Sequence, residues 1–359
     1  MSAMRDQHGA SRRWQGSLLH SMFGTWYNAL ISLALLYLAY RVIPPLAQWA
    51  IFDAIWRDVP ASVCRAAEGA CWAFVREKAR FILFGFFPYD QQWRPSLAVV
   101  LLIGLVGASA NRRFWNSGLI LLWPAVITLV LTLMGGGVFG LDLVPTSKWG
   151  GLPLTLMLAI VGSALAFPLG ILLALGRVSD MPLVRWICVG YIEFVRGVPL
   201  ITVLFMASVM LPLFMPSGVE IDAVLRALVG ITLFIAAYFA EVVRGGLLAL
   251  PKGQYEATHA LGLGYWPGMR LVILPQALRI SVPPLTNTLI GLVKDSSLVA
   301  IIGLVDLLGA ARRALSDPDW LGFYRESYLF VALIYFVICF SVSRYSRHFE
   351  ATLAARQQH

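Results

Sequence analysis

Long apolar runs, broken at intervals by short polar stretches, set the plan of this chain. A helix needs roughly 20 apolar residues to cross the hydrocarbon of a bilayer. Windows of that kind lie near 25–44, 96–111, 117–134, 152–175, 198–215, 223–243, 283–304 and 328–345. Between the runs at 223–243 and 283–304 the stretch GQYEATHALGLGYWPGMRLVILPQAL, residues 253–278, is as long as a span but too polar and glycine-rich to be one. Pro251 and Gly253 are expected to stop the preceding span. Gln254–Leu261 has helix-forming composition, with Glu256 in the first turn, where the helix dipole favours an acid. Gly262 is the expected C-cap and Gly264 a second break. Pro267 can open another short helix, which Pro275 ends or kinks. The expectation is two short helices along one membrane face, hinged at Gly262–Gly264. Ala257, Ala260 and Gly262 make the first slim enough to enter a groove on a partner; a plain interfacial anchor fits the same composition.

Composition agrees with a membrane setting. Of 359 residues, 59% are hydrophobic and 13% charged, against about 25% charged in soluble domains; the mean hydropathy is +0.75. A net charge of +9 points in this context to basic cytoplasmic loops rather than to nucleic acid. Arg112 and Arg113, then Arg177 and Arg185, then Lys252, Arg270 and Arg279, and finally Arg344, Arg347 and Arg356 fall on one side if the amino terminus is cytoplasmic. The alternate loops at 135–151 and 216–222 hold only Lys148. Both termini are therefore expected in the cytoplasm. The first apolar run follows Arg5, Arg12 and Arg13 without a cleavage pattern and is expected to stay as a signal anchor.

Residues 45–95 go against the charge rule, with Arg57, Arg65, Arg76, Lys78, Arg80 and Arg94 on the outer side. Long loops cross largely regardless of charge. This loop also holds Cys64 and Cys71, on the oxidising side, either as a disulfide or as two buried thiols. The four cysteines and five histidines form no metal-ligand spacing, so no metal site is expected.

The phosphate-binding pattern G-x-x-x-x-G-K-[ST] is absent, and none of Lys78, Lys148, Lys252 and Lys294 follows a glycine. If ATP drives this protein, another chain binds it. In SVPPLTNTLIGLVKDSSLVAIIGL, Lys294 and Asp295 lie about eleven residues beyond Pro283, roughly 16 Å at helical rise, near the midplane. Charges there face a cavity or pair with a neighbour. Asn287 upstream and Ser296 after them extend a polar stripe. Glu241 and Arg244 are three apart and share a helix face; Glu193 and Arg196 repeat that spacing. Pro199, just after Gly197-Val198, implies a broken helix, which a membrane tolerates only beside protein or a cavity.

At residue 256 the chain resembles a family. Glu256-Ala257-Thr258, Gly262 and Val272-Ile273-Leu274-Pro275 follow, in register, the E-A-A-x3-G-x9-I-x-L-P pattern of permease subunits of binding-protein-dependent ABC importers, with Thr258 for alanine and Val272 for isoleucine. RGVPL (196–200), EVVRGG (241–246), LPQALR (274–279), PPLTN (283–287) and KDSSL (294–298) narrow the resemblance to polar amino-acid permeases. GACWAF (69–74) and FGFFPYDQQWRP (84–95) further resemble one permease of the general L-amino-acid importers.

The apolar windows give an all-α polytopic protein of about eight spans, and the resemblance implies that its C-terminal five form an ABC type I importer permease core. Its parts would be a cytoplasmic tail (1–24), a helical extension (25–140) with periplasmic loop 45–95, and a permease core (141–359) with coupling loop 251–275. It implies two permeases, here two different chains, paired with two ATPase subunits that carry ATP and Mg, and a periplasmic amino-acid-binding protein. Coupling to the ATPase would fall to Gln254, Glu256, Ala257, Ala260, Gly262 and Gly264. The substrate pathway is assigned to Asp295 first, with Ser296, Lys294, Asn287 and Glu241, on the charge near the midplane rather than on a family motif. The competing reading is a secondary transporter driven by an ion gradient, which predicts inverted repeats that the chain does not display.

Overall fold

The computed structural model describes residues 22–216 and 221–357, so nearly all of the 1–24 tail lies outside it. The described residues are almost wholly helical; a two-residue strand, Val305–Asp306, pairs in parallel with Gly150 and Gly151. Helix α1 spans Trp26–Ala47, α2 Ala61–Ala66, α3 Trp72–Phe84, α4 Trp93–Ala110 and α5 Ser117–Gly135. The chain goes on through α6 (Gly151–Arg177), α7 (Pro182–Gly197) and α8, which starts as Leu200–Phe205 and runs through a wide π-turn to Leu213. Then follow α9 (Ala223–Leu248), α10 (Lys252–Ala260), α11 (Leu274–Asp295), α12 (Leu307–Ala314) and α13 (Tyr324–Gln357). Two compact units meet inside α3, one ending at Arg76 and one starting at Glu77.

In the first unit, α1 exposes Leu30, Ile31, Leu33, Leu36 and Tyr37 around its circumference, as suits a helix whose solvent is lipid. A small knot follows it. Ile55 N–H donates to Ala70 O at 2.8 Å and Trp72 N–H to Ile55 O at 2.9 Å. Trp56 stacks on Trp72, and Cys64 and Cys71 carry a disulfide with Cα atoms 5.7 Å apart.

The second unit is built on α6 and α9. Leu154, Met157 and Leu158 of α6 and Ile231, Ile235 and Ala236 of α9 are fully or nearly fully buried in one core. Lipid is as apolar as leucine, so dispersion and close approach rather than a hydrophobic drive hold such helices together. The crossing of α9 with α11 shows how. A Cβ on Gly246 would sit 2.6 Å from Ala277 O, and the Ser281 hydroxyl bonds Ala277 O at 2.9 Å and reaches across to Val242 O at 3.3 Å. Helix starts are capped as the sequence allows: Asp222 accepts from Val224 and Leu225 N–H, and Asp306 from Leu308 and Gly309 N–H. Asp306 is wholly buried and also accepts from Tyr335 OH at 3.3 Å. Burial pushes its carboxyl up, against the pull of those two backbone donors.

Three expectations change. The 198–215 window is not a span by itself: α7 and α8 meet at 102° and only together are long and apolar enough to cross, giving seven spans among the described residues, or eight with this bent pair. The span expected from Pro283 starts far earlier. Tyr265–Ile302 is one 38-residue helical run that continues through Pro283 and Pro284, so the depth reckoned from Pro283 loses its reference. Arg94, counted as a loop charge, is 1% exposed. It donates to Leu133 O at 2.6 Å and Asp142 O at 2.9 Å, satisfying carbonyls at the end of α5 and in the loop beyond it.

Candidate functional site

Two places carry the chemistry, one outside the spans and one among them. The outer one is α10. Pro251 caps its start, with φ −57° and ψ 139°, and Gly253 lies inside the helix rather than stopping α9. The helix therefore starts at Lys252, and Glu256 stands in its second turn instead of the first. Its end is a Schellman motif. Gly262, at φ +71°, donates to His259 O at 2.9 Å, and Leu263 N–H donates to Thr258 O at 3.1 Å. The second short helix expected after Gly264 does not exist as a separate element. Tyr265–Gly268 passes through a π-turn, Met269–Ile273, directly into α11. That wide turn absorbs Pro275, whose missing N–H would otherwise break the ladder.

One face of α10 is tied down. Tyr255 OH donates to Leu247 O at 3.1 Å, and Gln276 Nε2 donates to Gln254 Oε1 at 2.9 Å. Burial pushes the Tyr255 phenol up. Thr258 is buried, and a Cβ on Gly268 would lie 3.4 Å from its own Cβ. The opposite face is open: Glu256, Ala257, Ala260, Leu261 and Gly262 are all exposed. Gln254 belongs to the tied face, half-buried, and Gly264 lies exposed at the start of the following helix.

The inner place is a cavity of about 650 Å³ at the bend between α7 and α8, a volume usual for small-molecule sites. Arg196 and Pro199 reach it from the bend, Phe234 and Tyr238 from α9, and Asn287 and Asp295 from α11. The freed backbone at Gly197–Pro199 thus borders a cavity rather than lipid, as such a break requires. The expected polar stripe does not stay together. Lys294 opens on a different cavity of about 450 Å³, beside Tyr335 and Cys339. Ser296 is fully buried, its hydroxyl on Val293 O at 2.8 Å.

Glu241 is absent from the cavity wall and is instead an ionic hub. It pairs with Arg244 on its own helix, with Arg177 of α6 at 3.3 Å and with Arg196 of α7 at 3.7 Å. Glu193 turns to Arg177 at 2.8 Å rather than to Arg196, so the second intrahelical pair expected from spacing is an interhelical one. In the sequence Arg196 stands out as half of that pair and as the head of RGVPL (196–200). The signal for its role was its position, directly before the Gly197-Val198-Pro199 break.

Residues 166–354 match the family described as "Binding-protein-dependent transport system inner membrane component". The chain belongs to this family and is a multi-pass, inner-membrane amino-acid ABC transporter permease; the ion-gradient alternative is set aside. It is 53% identical over 336 residues to the inner membrane amino-acid ABC transporter permease protein YhdY of Escherichia coli (strain K12), covering 92% of this chain and 90% of that one. To the glutamate/glutamine/aspartate/asparagine transport system permease protein BztC of Rhodobacter capsulatus it is 38% identical over 414 residues, covering 97% and 94%. Among solved structures, "Crystal structure of an amino acid ABC transporter with histidines" superposes with a TM-score of 0.50 at 32% identity, covering 56% of this chain and 92% of that chain.

Proposed function

We propose that this permease carries L-amino acids from periplasm to cytoplasm through the cavity at the α7–α8 bend, holding them between Arg196 and Asp295. The observation that carries the reading is this pair of opposite charges on the lining of one cavity of about 650 Å³. Every amino acid is a zwitterion. A guanidinium can take its carboxylate as a bidentate partner, and a carboxylate can take its ammonium. Asn287 adds a neutral donor and acceptor, and Phe234 and Tyr238 offer apolar surface to the side chain.

The energy source is a separate ATPase subunit, which binds ATP and Mg; the chain has no phosphate-binding loop of its own. The open face of α10, Glu256 to Gly262, docks on that subunit, and its tied face passes the motion to α9 and α11. A periplasmic binding protein delivers the substrate and a second, different permease completes the pathway. Both termini are cytoplasmic.

Uptake by the reconstituted complex in proteoliposomes tests the pathway. Arg196→Gln and Asp295→Asn are each expected to reduce uptake of every amino acid carried by at least about tenfold, as loss of a charge-assisted bond of 1.5–3 kcal/mol implies. ATP hydrolysis by the complex should survive in both variants. Normal uptake in both removes this pair as the substrate site. Uptake on an ion gradient without ATP would overturn the energy assignment.

A further inference from the structure

Arg196 is shared between the cavity and an ionic cluster, and the cluster's charges do not balance. Glu241 Oε1 accepts both Nε of Arg244, at 3.0 Å, and its Nη2. Glu241 Oε2 faces Nη1 of Arg177 at 3.3 Å and Nη1 of Arg196 at 3.7 Å. Arg177 has a second acid, Glu193, at 2.8 Å. Three guanidiniums from α6, α7 and α9 therefore meet two carboxylates, +3 − 2 = +1. Arginine does not give up its proton. The side chains of Arg177, Glu241 and Arg244 are 18%, 21% and 27% exposed, and those of Arg196 and Glu193 35% and 56%, so salt screens the surplus only in part.

Of the three arginines, Arg196 stands farthest from its carboxylate and has no hydrogen bond to it. Its guanidinium lies over the Tyr238 ring, 5.7 Å from the centroid, and both residues border the cavity. The unmatched charge is thus presented where a substrate carboxylate would sit.

We propose that Glu241 is a positioning and specificity-setting residue for transport. It holds Arg196 at the cavity edge and trims the cluster to a single net positive charge, the match for one carboxylate. This rests on the zwitterion reading above. A substrate's α-carboxylate completes the cluster, and its ammonium meets Asp295. A second carboxylate on the side chain then finds no further unmatched cation, and a second ammonium meets no net repulsion.

Glu241→Gln keeps the size and an acceptor for Arg244 but raises the cluster to +2. The test is equilibrium binding of radiolabelled L-glutamate, L-glutamine and L-lysine to the complete permease–ATPase complex in nanodiscs, without the binding protein, so that the permease's own preference is read. Glu241→Gln is expected to raise the glutamate-to-lysine affinity ratio roughly three- to tenfold, the effect of one added charge at partly screened range. The double variant Glu241→Gln/Arg177→Gln returns the cluster to +1 and should return the ratio to the wild-type value, which a purely structural role would not do. If Glu241→Gln fails to assemble, Glu193→Gln makes the same charge change from the more exposed rim and should move the ratio in the same direction.

A ratio unchanged in the assembled variants, an equal change for all three ligands, or no return in the double variant overturns the proposal. Arg196→Gln separates the two readings. Loss of all binding there with a flat ratio in Glu241→Gln sinks only the role of Glu241, whereas normal binding in Arg196→Gln sinks the zwitterion site itself.

Discussion

Gly245 and Gly246 stand side by side in the EVVRGG stretch, and sequence gives no reason to rank them. The packing does. A Cβ at Gly245 would meet nothing within 4 Å, whereas one at Gly246 would press on Ser281 Oγ and on Ala277 O at 2.6 Å. A carbonyl on a facing helix cannot rotate away, so the helices must part. Gly246→Ala is expected to cost about 1–3 kcal/mol, the usual range for overpacking. Gly245→Ala should be neutral or slightly stabilising through helix propensity. Thermal unfolding in detergent reads both; equal effects would mean that α9 and α11 do not cross at Gly246. At this scale the sequence was readable where one residue decides the backbone, as at Gly262. It was unreadable where the deciding partner lies elsewhere in the chain, as for Glu193, whose nearest cation is Arg177 and not the arginine three residues on.

Among elements, α10 has one tied and one open face, and the distinction yields a test of coupling. Glu256 is exposed while Tyr255, one residue back, is bonded to Leu247 O. A change at Glu256 therefore alters what α10 offers outward without loosening its seat. Glu256→Lys should leave the permease folded and assembled but cut transport per ATP hydrolysed severalfold, as measured by parallel uptake and phosphate-release assays. Normal transport stoichiometry would remove α10 as the handle. The existence of this element was legible from composition and glycine placement, because helix stop signals are local. The break at α7–α8 was legible from Gly197-Val198-Pro199, but that its two halves make one span was not, nor was the long run through Pro275, Pro283 and Pro284. Proline marks a possible break, and whether the helix continues depends on a π-turn and on the helices packed around it.

A second contact between elements is pH-dependent. Lys78 of α3 bonds Asp317, in the loop after α12, at 2.7 Å, and Trp320 Nε1 donates to Glu77 Oε1 at 3.0 Å. Burial pulls the Lys78 ammonium down, but its hydrogen bonds to Asp317 and Glu77 outweigh this and leave it above the usual value. The hydrogen bond from Lys78 holds the Asp317 carboxyl below the usual carboxylate range. A depressed acid stabilises above its unfolded pKa and loses that contribution as pH falls through the folded value; a raised lysine loses its contribution as pH climbs through the folded value. The contact should therefore be intact between about pH 4 and pH 10. Asp317 is a third exposed, so the effect is less than about 1 kcal/mol. Lys78→Met should be slightly less stable than wild type at pH 7, with the difference shrinking as pH falls below about 4 and Asp317 takes up its proton; a difference independent of pH would assign the effect to packing instead.

Over the whole second unit, contacts sort the loops into two ends. At one end, Thr146 bonds Asp222, Gly150 pairs with Val305, and Lys78 bonds Asp317. At the other, Tyr345 OH donates to Ala110 O at 2.8 Å, and Ala174, Leu175 and Leu247 share a core against which Tyr255 packs. Helix α6 starts at the first end and stops at the second, and so does α9. The bent pair α7–α8 must then run once from the second end back to the first, which makes it a single crossing. The first end also holds Arg312 and Arg313 of α12, basic residues on the side expected to be periplasmic, so loop charge alone does not fix the orientation. The ATPase-facing role of α10 requires the second end to be cytoplasmic. Single cysteines at Ser316 and Ala260, in a background with Cys188 and Cys339 replaced by serine, put this to the test. Both sites are exposed and lie at opposite ends. A membrane-impermeant maleimide added to spheroplasts should label Ser316→Cys at once and Ala260→Cys only after permeabilisation. The reverse order would invert the orientation and, with it, the docking face proposed for α10.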